Sequence, residues 1–403
     1  MLKHEKEKRK LRILACPSNE GGCAYYRIIM PLQKLLEKCE DDIEIRWNSN
    51  PLGADPDTGK SVPDWTPADF EWADIVFTQN IHNFGGMYTM NILKCAFDHG
   101  CFTHFDTDDL LTDLYEGHRL YTVYKEQKLD EITKFIYSNV DLVTVTQRKF
   151  AERIMPYVRN ALVVIKNAID FDLPSWNVPR MATKQCRIGW AGGIHHDVDV
   201  KEFASVPLGV NTKCGVENVH WGFYGRPPMP MEDGKPKPDW QQEVWDGYER
   251  TMTIGMKGKR KNYDIFFALP THEYGKMFAN MDMCIAPLEH NAFNDSKSEI
   301  KAIEAGHYGL PLIATNTGCY DELITNGETG YLIDPKNERK VWVNTISKVV
   351  KDKKLRNRMG QNLKKIVDSH YDINKIVQGR LELYLQLMEA KAKGQEIQNE
   401  KVS

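Results

Sequence analysis

The sequence predicts two doubly wound, Rossmann-like α/β domains in tandem. Short apolar runs alternate with longer amphipathic ones, the alternation pauses once at a proline-bearing aperiodic stretch and resumes, and 403 residues with 41% apolar content exceed what one hydrophobic core supports. Together these argue for two parallel sheets, each covered by helices on both faces.

In the first half the apolar runs are Leu11–Ala15, Ile43–Trp47, Ile75–Thr78, Cys101–Phe105, Leu142–Thr146 and Leu162–Ile165, with helical periodicity at Ile28–Lys38 and Tyr124–Ser138. Phe171-Asp-Leu-Pro-Ser-Trp-Asn-Val-Pro-Arg180 reads as the linker. The second series has strands at Arg187–Trp190, Val219–Tyr224, Ile265–Phe267, Met283–Ala286, Leu312–Ala314 and Gly330–Ile333, and helices near 273–281, 297–307 and 338–351. Between Gly225 and Asn262 lies an insertion rich in Pro, Trp and Lys, expected to be too irregular for a core element and ending in the basic run Lys257–Lys261. A last amphipathic run, Ile373–Ala392, precedes a polar tail expected to stay disordered. The resulting division is 1–172, 173–370, and 371–403 as a C-terminal helix and tail, the helix packing back on the first domain.

A net charge of −3 gives no global basic field and lowers the case for tight nucleic-acid binding. Nine scattered cysteines without a Cys-x-x-Cys pair fit neither a zinc site nor a disulfide framework, so reduced thiols are expected. The mixed-charge opening is unlike a signal peptide and no apolar stretch reaches membrane-spanning length, from which a cytoplasmic location is expected.

The candidate motifs fall after strands, where doubly wound sheets bind ligands, and two such domains are expected to share a cleft. Ser296 and Glu299 match a capping box, placing a helix start at Ser296 with Lys297 and Ser298 in its first turn and Lys301 and Glu304 following along one face. Such a tip suits a diphosphate, with a carboxylate nearby for two vicinal hydroxyls; the alternative is a surface helix with an internal Lys-Glu pair. Trp190-Ala-Gly-Gly-Ile-His-His196 ends a strand in small residues that let backbone approach a phosphate, with Gly192, Gly193 and His196 as ligand candidates. In the first domain, Asn19-Glu-Gly-Gly-Cys-Ala-Tyr-Tyr-Arg27 follows the first strand, and it is not a dinucleotide fingerprint. Arg27 either faces the cleft or pairs on the surface. His104-Phe-Asp-Thr-Asp-Asp109 crowds three carboxylates at a strand end, which raises at least one pKa. A functional carboxylate at Asp106 or Asp108, a helix cap at one of Asp108 and Asp109, and a Mg2+ site are the readings of this run.

Ala286-Pro-Leu, Phe293–Glu304, Gly309-Leu-Pro-Leu-Ile-Ala, Gly327-Glu-Thr-Gly-Tyr-Leu-Ile, Ile188–Asp199 and Val164–Asp170 together resemble retaining glycosyltransferases of family four, most closely a phage-like branch. The matching blocks spread over most of residues 11–335. The resemblance implies a GT-B fold, an N-terminal acceptor-side domain, a C-terminal nucleotide-sugar domain, and metal-independent transfer to an acceptor hydroxyl with retention of configuration. It implies no cofactor beyond a nucleoside-diphosphate sugar, expected to be a UDP-sugar. Glu304 matches the second glutamate of the family's Glu-x7-Glu motif, which holds the ribose; Ser296 replaces the first. The family's Arg-x4-Lys phosphate pair is absent, with His196 and Asp199 in that region, so Lys297, Lys301 or Arg226 is expected to supply the cation. Gly21, Gly22, Arg27 and Ser298 join the donor-binding set; Lys297 joins the catalytic one, in which the resemblance implies that Asp106 or Asp108 orients or deprotonates the acceptor. The acceptor is left open among a DNA base, a glycan, a lipid-linked sugar, a protein and a small molecule. For a hydroxymethylated pyrimidine in DNA, the basic run with Trp240 and Trp245 would supply phosphate contacts and stacking. A sugar-nucleotide 2-epimerase and a non-catalytic sugar-nucleotide-binding protein are the other readings.

Overall fold

All twelve apolar runs read as strands pair in parallel in the computed structural model, which describes residues 9–19, 21–48, 65–79, 87–232, 235–256, 261–336 and 339–393. Most of the basic run at 257–261, the opening eight residues and the tail from 394 lie outside the described residues. The chain divides into two units: Met1–Leu114, Leu120–Ala168 and Ile373–Ser403 form one, Tyr115–Arg119 and Ile169–Asp372 the other.

The first unit is built on β1 (Leu11–Cys16), β2 (Ile43–Trp47), β3 (Ile75–Gln79), β4 (Phe102–Asp106), β5 (Leu142–Val145) and β6 (Ala161–Val164), in the order β2-β1-β3-β4-β5-β6. Every residue of β3, β4 and β5 is buried, the signature of strands covered on both faces. After β1 a helix starts at Gly22, widens into a π-helical turn over Tyr25–Ile29, and continues as α1 (Met30–Lys38). That turn buries four consecutive side chains, Tyr25, Tyr26, Arg27 and Ile28. The run at Tyr124–Ser138 is two helices, Tyr121–Glu126 and Leu129–Asn139, because Lys128 between them turns left-handed at φ 55°. The C-terminal helix Gln378–Ala392 belongs to this unit, where the Tyr384 hydroxyl meets His104 Nδ1 at 2.8 Å.

The second unit carries β7 (Cys186–Ala191), β8 (Val219–Arg226), β9 (Tyr263–Phe267), β10 (Met283–Ala286), β11 (Leu312–Thr315) and β12 (Gly330–Ile333), in the order β9-β8-β7-β10-β11-β12. The short α2 (Asp197–Glu202) follows β7. The insertion after β8 departs from the sequence expectation, for it contains α3, a thirteen-residue helix at Trp240–Met252. Asp239 caps it by accepting from the Gln241 and Gln242 amides at 2.9 and 3.1 Å. Trp245, Tyr248 and Met252, at i, i+3 and i+7, enter the same core as Trp190 and Trp221. The flanking prolines and lysines obscured this periodicity. Another long helix, Lys353–His370, was not anticipated.

Trp245 is wholly buried. Trp245→Ala is expected to cost about 3–5 kcal/mol, as for other buried large-to-small changes, read as a lower denaturation midpoint.

Candidate functional site

In both sheets the strand order reverses once, the point at which ligands of doubly wound sheets bind. In the second unit the reversal lies between β7 and β10. The turn after β7 holds Gly192, Gly193 and His196; the segment after β10 holds Glu289, Asn294, Lys297 and Ser298.

Backbone packing shapes the first of these turns. The Gly192 amide donates to the Tyr224 carbonyl at 3.0 Å, and Gly225 has φ +119°. A Cβ at 225 would lie 2.1 Å from the Gly192 carbonyl oxygen, so the chain needs glycine there. A Cβ at Gly192 would strike the Trp190 ring and His196, whereas one at Gly193 would meet nothing within 4 Å. Gly193 is therefore the more open of the two predicted glycines.

Asp199, one turn into α2, joins the two loops. Its Oδ2 lies 2.7 Å from His196 Nδ1; its Oδ1 accepts from the Glu289 amide at 2.7 Å and from Asn294 Nδ2 at 3.2 Å. The Asp199 side chain is only 3% exposed. Burial works against its charge, but the His196 hydrogen bond, the charges of His196 and Lys297 and the Glu289 N–H more than offset this, holding the carboxyl below the ordinary aspartate range. The carboxylate fixes the His196 ring, and among the described residues His196 Nε2 makes no hydrogen bond. The Lys297 ammonium sits 5.0 Å over the Phe293 ring.

The helix after β10 corrects one expectation. It does not begin at Ser296: a short helix spans Ala292–Asp295, Ser296 Oγ donates back to the Ala292 carbonyl at 2.8 Å, and the next helix, α4, runs Ile300–His307. Ser296 closes the earlier turn instead of capping a later one, and Lys297 and Ser298 lie in the bend between the helices. On α4, Lys301 Nζ pairs with Glu304 Oε2 at 2.9 Å, with the side chains 29% and 1% exposed. Burial opposes the Lys301 charge, yet the Glu304 carboxylate outweighs it and raises the pKa above the ordinary lysine value. Lys301 thus neutralises the buried Glu304, which is not an open carboxylate.

Two predicted cations are engaged elsewhere. Arg226, at the end of β8, donates to Gln242 Oε1 at 3.0 Å and to Asp246 Oδ1 at 2.7 Å, with Glu249 at 3.8 Å, so its charge is committed to α3. Arg27 neither opens to a cleft nor pairs on the surface. It is 1% exposed, makes a two-pronged pair with Asp106 (Nε to Oδ1 at 2.9 Å, Nη2 to Oδ2 at 2.7 Å), and donates to the Ile165 carbonyl and Asn167 Oδ1. Asp106 also accepts from Thr144 Oγ1 at 2.6 Å and is fully buried, so it is a structural carboxylate closed to an acceptor. Trp245, considered for base stacking, is likewise closed.

Asp108, half-buried beyond β4, has a pKa pushed up to about 7 by burial and by the neighbouring charges of Asp109 and Asp106, against a hydrogen bond from Cys23 and the charge of Arg27. Gly21 and Gly22 begin the helix that brings Cys23 near it. Among the described residues, ligand atoms of Cys23, Asp108 and Asp109 lie within 4.8 Å of one another, a spacing a cation can bridge.

The sequence likeness is partial and the structural likeness broad. Residues 254–366 match the family model described as glycosyl transferases group 1. The capsular polysaccharide biosynthesis glycosyltransferase CapM of Staphylococcus aureus is 32% identical over 95 residues, which is 23% of this chain and 23% of that protein's length. Sucrose-phosphate synthase from Thermosynechococcus elongatus superposes with a TM-score of 0.67 at 14% identity, over 94% of this chain and 100% of that one. The chain has a GT-B fold. A second GT-B structure, Anabaena Alr3699/HepE in complex with UDP and glucose, gives a TM-score of 0.63 at 14% identity over 93% and 100% of the two chains. Within the GT-B chain described here, the group 1 match covers Lys297, Lys301 and Glu304, while the His196–Asp199 turn precedes it.

Arg27→Met leaves Asp106 buried without its counter-charge and is expected to cost about 3–5 kcal/mol in chemical denaturation, with much of the loss recovered in Arg27→Met/Asp106→Leu. Because the folded pKa of Asp108 lies above the ordinary 3.8, its contribution is fully present below that value and is lost as pH rises to about 7. Asp108→Asn is therefore expected to raise the melting temperature relative to wild type at about pH 8 and to leave it little changed at about pH 4.

Proposed function

We propose that the protein is a glycosyltransferase that moves a sugar from a nucleoside-diphosphate sugar to an acceptor hydroxyl, with retention of configuration and without a metal ion. The observation that carries this reading is the Asp199-anchored His196, whose Nε2 makes no hydrogen bond among the described residues, at the switch point of a GT-B fold with Lys297 close enough to act on the same carboxylate. The donor's diphosphate would lie against the Gly192–Gly193 backbone, His196 and Lys297. As the glycosidic bond breaks, negative charge grows on the leaving oxygen, and preorganised cations stabilise that state more than the bound donor. Lys301 is paired with Glu304, and a ribose would reach that carboxylate by taking Lys301's place. A UDP-sugar is the proposed donor, supported by the UDP and glucose bound to the Anabaena neighbour. On the acceptor side the pairing of Asp106 leaves Asp108 as the proposed carboxylate.

A thermal-shift screen with UDP-, GDP- and ADP-sugars tests the donor, and one nucleotide class is expected to raise the melting temperature. His196→Ala and Lys297→Ala are each expected to lower kcat/KM by about 10²–10³, as for loss of one group facing developing charge. Asp199→Asn should lower kcat more than it raises KM, since it disturbs the orientation of the ring and not its presence. Donor binding without transfer, or isomerisation of the donor alone, would overturn the transferase reading.

A further inference from the structure

The second unit holds a cavity that the proposed donor chemistry does not use. It lies between α2 and α3, has a volume of about 420 Å³, and is lined chiefly by Arg119, Asp197, Lys201, Trp240, Glu243 and Tyr248. That volume falls in the range of small-molecule sites, about 300–1,000 Å³. Helical spacing makes its floor: Val200 one turn beyond Asp197, and Val244, Gly247, Tyr248 and Thr251 along one face of α3. A Cβ on Gly247 would meet only the Arg250 side chain, at 3.8 Å, so the missing side chain gives the cavity depth.

Three features define what fits. Trp240 is 53% exposed, so its indole offers a flat apolar surface that the core does not need. Arg119 holds Asp197 through a planar two-pronged pair (Nε to Oδ2 at 2.6 Å, Nη2 to Oδ1 at 2.5 Å), and its guanidinium stands 6.0 Å from the Trp240 ring centre. The charged lining is balanced, with Arg119 and Lys201 against Asp197 and Glu243. A polyanion would face the two carboxylates and a dication the two basic groups. A neutral polyol meets neither penalty: its C–H face suits the indole, and its hydroxyl edge suits the arginine–aspartate pair.

We infer that this cavity is a subsite for a neutral saccharide, with a sugar ring against Trp240 and hydroxyls on the Arg119–Asp197 pair. The Tyr248 hydroxyl behind it accepts from the His196 amide at 2.9 Å and donates to the Ile194 carbonyl at 3.0 Å, so the cavity wall is bonded to the turn that carries His196. Resting on the transferase reading, the saccharide is a non-reacting portion of the acceptor; its binding does not depend on that reading.

The test uses the full chain, calorimetric titration with maltotriose, cellotriose, chitotriose and an eight-residue oligothymidylate, and a parallel UDP thermal shift. At least one neutral trisaccharide is expected to bind saturably, about tenfold more weakly in Trp240→Ala and less weakened in Trp240→Phe, with the UDP response unchanged in both. Gly247→Leu, which fills the cavity from its floor, should abolish the same binding. Absence of saturable trisaccharide binding, binding unaltered in Trp240→Ala and Gly247→Leu, or a preference for the oligothymidylate would each overturn the assignment. Trp240-dependent saccharide binding in a protein that does not respond to UDP or any other nucleotide would leave the subsite standing while removing the proposed donor.

Discussion

Taking a carboxylate out of water costs several kcal/mol unless charge and hydrogen bonds replace the lost hydration. Asp199 meets that condition only because two loops on either side of the switch point converge on it: His196 from the turn after β7, and the Glu289 amide and Asn294 from the segment after β10. The dependence runs both ways. Without those donors the carboxylate would be an isolated buried charge, and without the carboxylate the two loops would lose their shared anchor. The ring orientation of His196 and the joining of the two loops both depend on this one group.

The distribution of positive charge has the same logic. Four basic residues proposed as anion ligands end in different electrostatic states. Arg27 is paired with Asp106 inside the first unit, Arg226 with the acidic face of α3 and Lys301 with the buried Glu304, whereas Lys297 lies over the Phe293 ring. A short hydrogen bond to a carboxylate makes a basic residue part of the scaffold.

Much of the architecture was legible because strands covered on both faces are continuous apolar runs, and all twelve were found within a residue or two of their ends. That Gly192, Gly193, His196 and Lys297 follow strands was legible for the same reason. Side-chain partners were not: Arg27 and Asp106 are 79 positions apart, and nothing local distinguishes an arginine bound for the core from one bound for a ligand. The Ser296–Glu299 pattern failed because a serine hydroxyl can also donate to a carbonyl a turn earlier: Ser296 bonds that of Ala292 at the end of one helix, and the next begins only at Ile300. Periodicity in α3 was present but masked by flanking prolines and lysines. The bridging role of Asp199 had a faint signal, a His and an Asp three apart at the head of a helix; its other two partners are some ninety residues downstream.

The π-helical turn at Tyr25–Ile29 sets a condition on chain length. One extra residue in the turn rotates α1 by roughly 100° relative to a regular helix, and it is this rotation that lets four successive side chains face inward with Arg27 among them. Substitutions at the exposed edges of that segment can be absorbed, but loss of a single residue would restore ordinary helical phase and swing the guanidinium off β4. The stretch between β1 and α1 is therefore constrained in its residue count more tightly than in its composition, and variation in length among homologous chains should be found elsewhere.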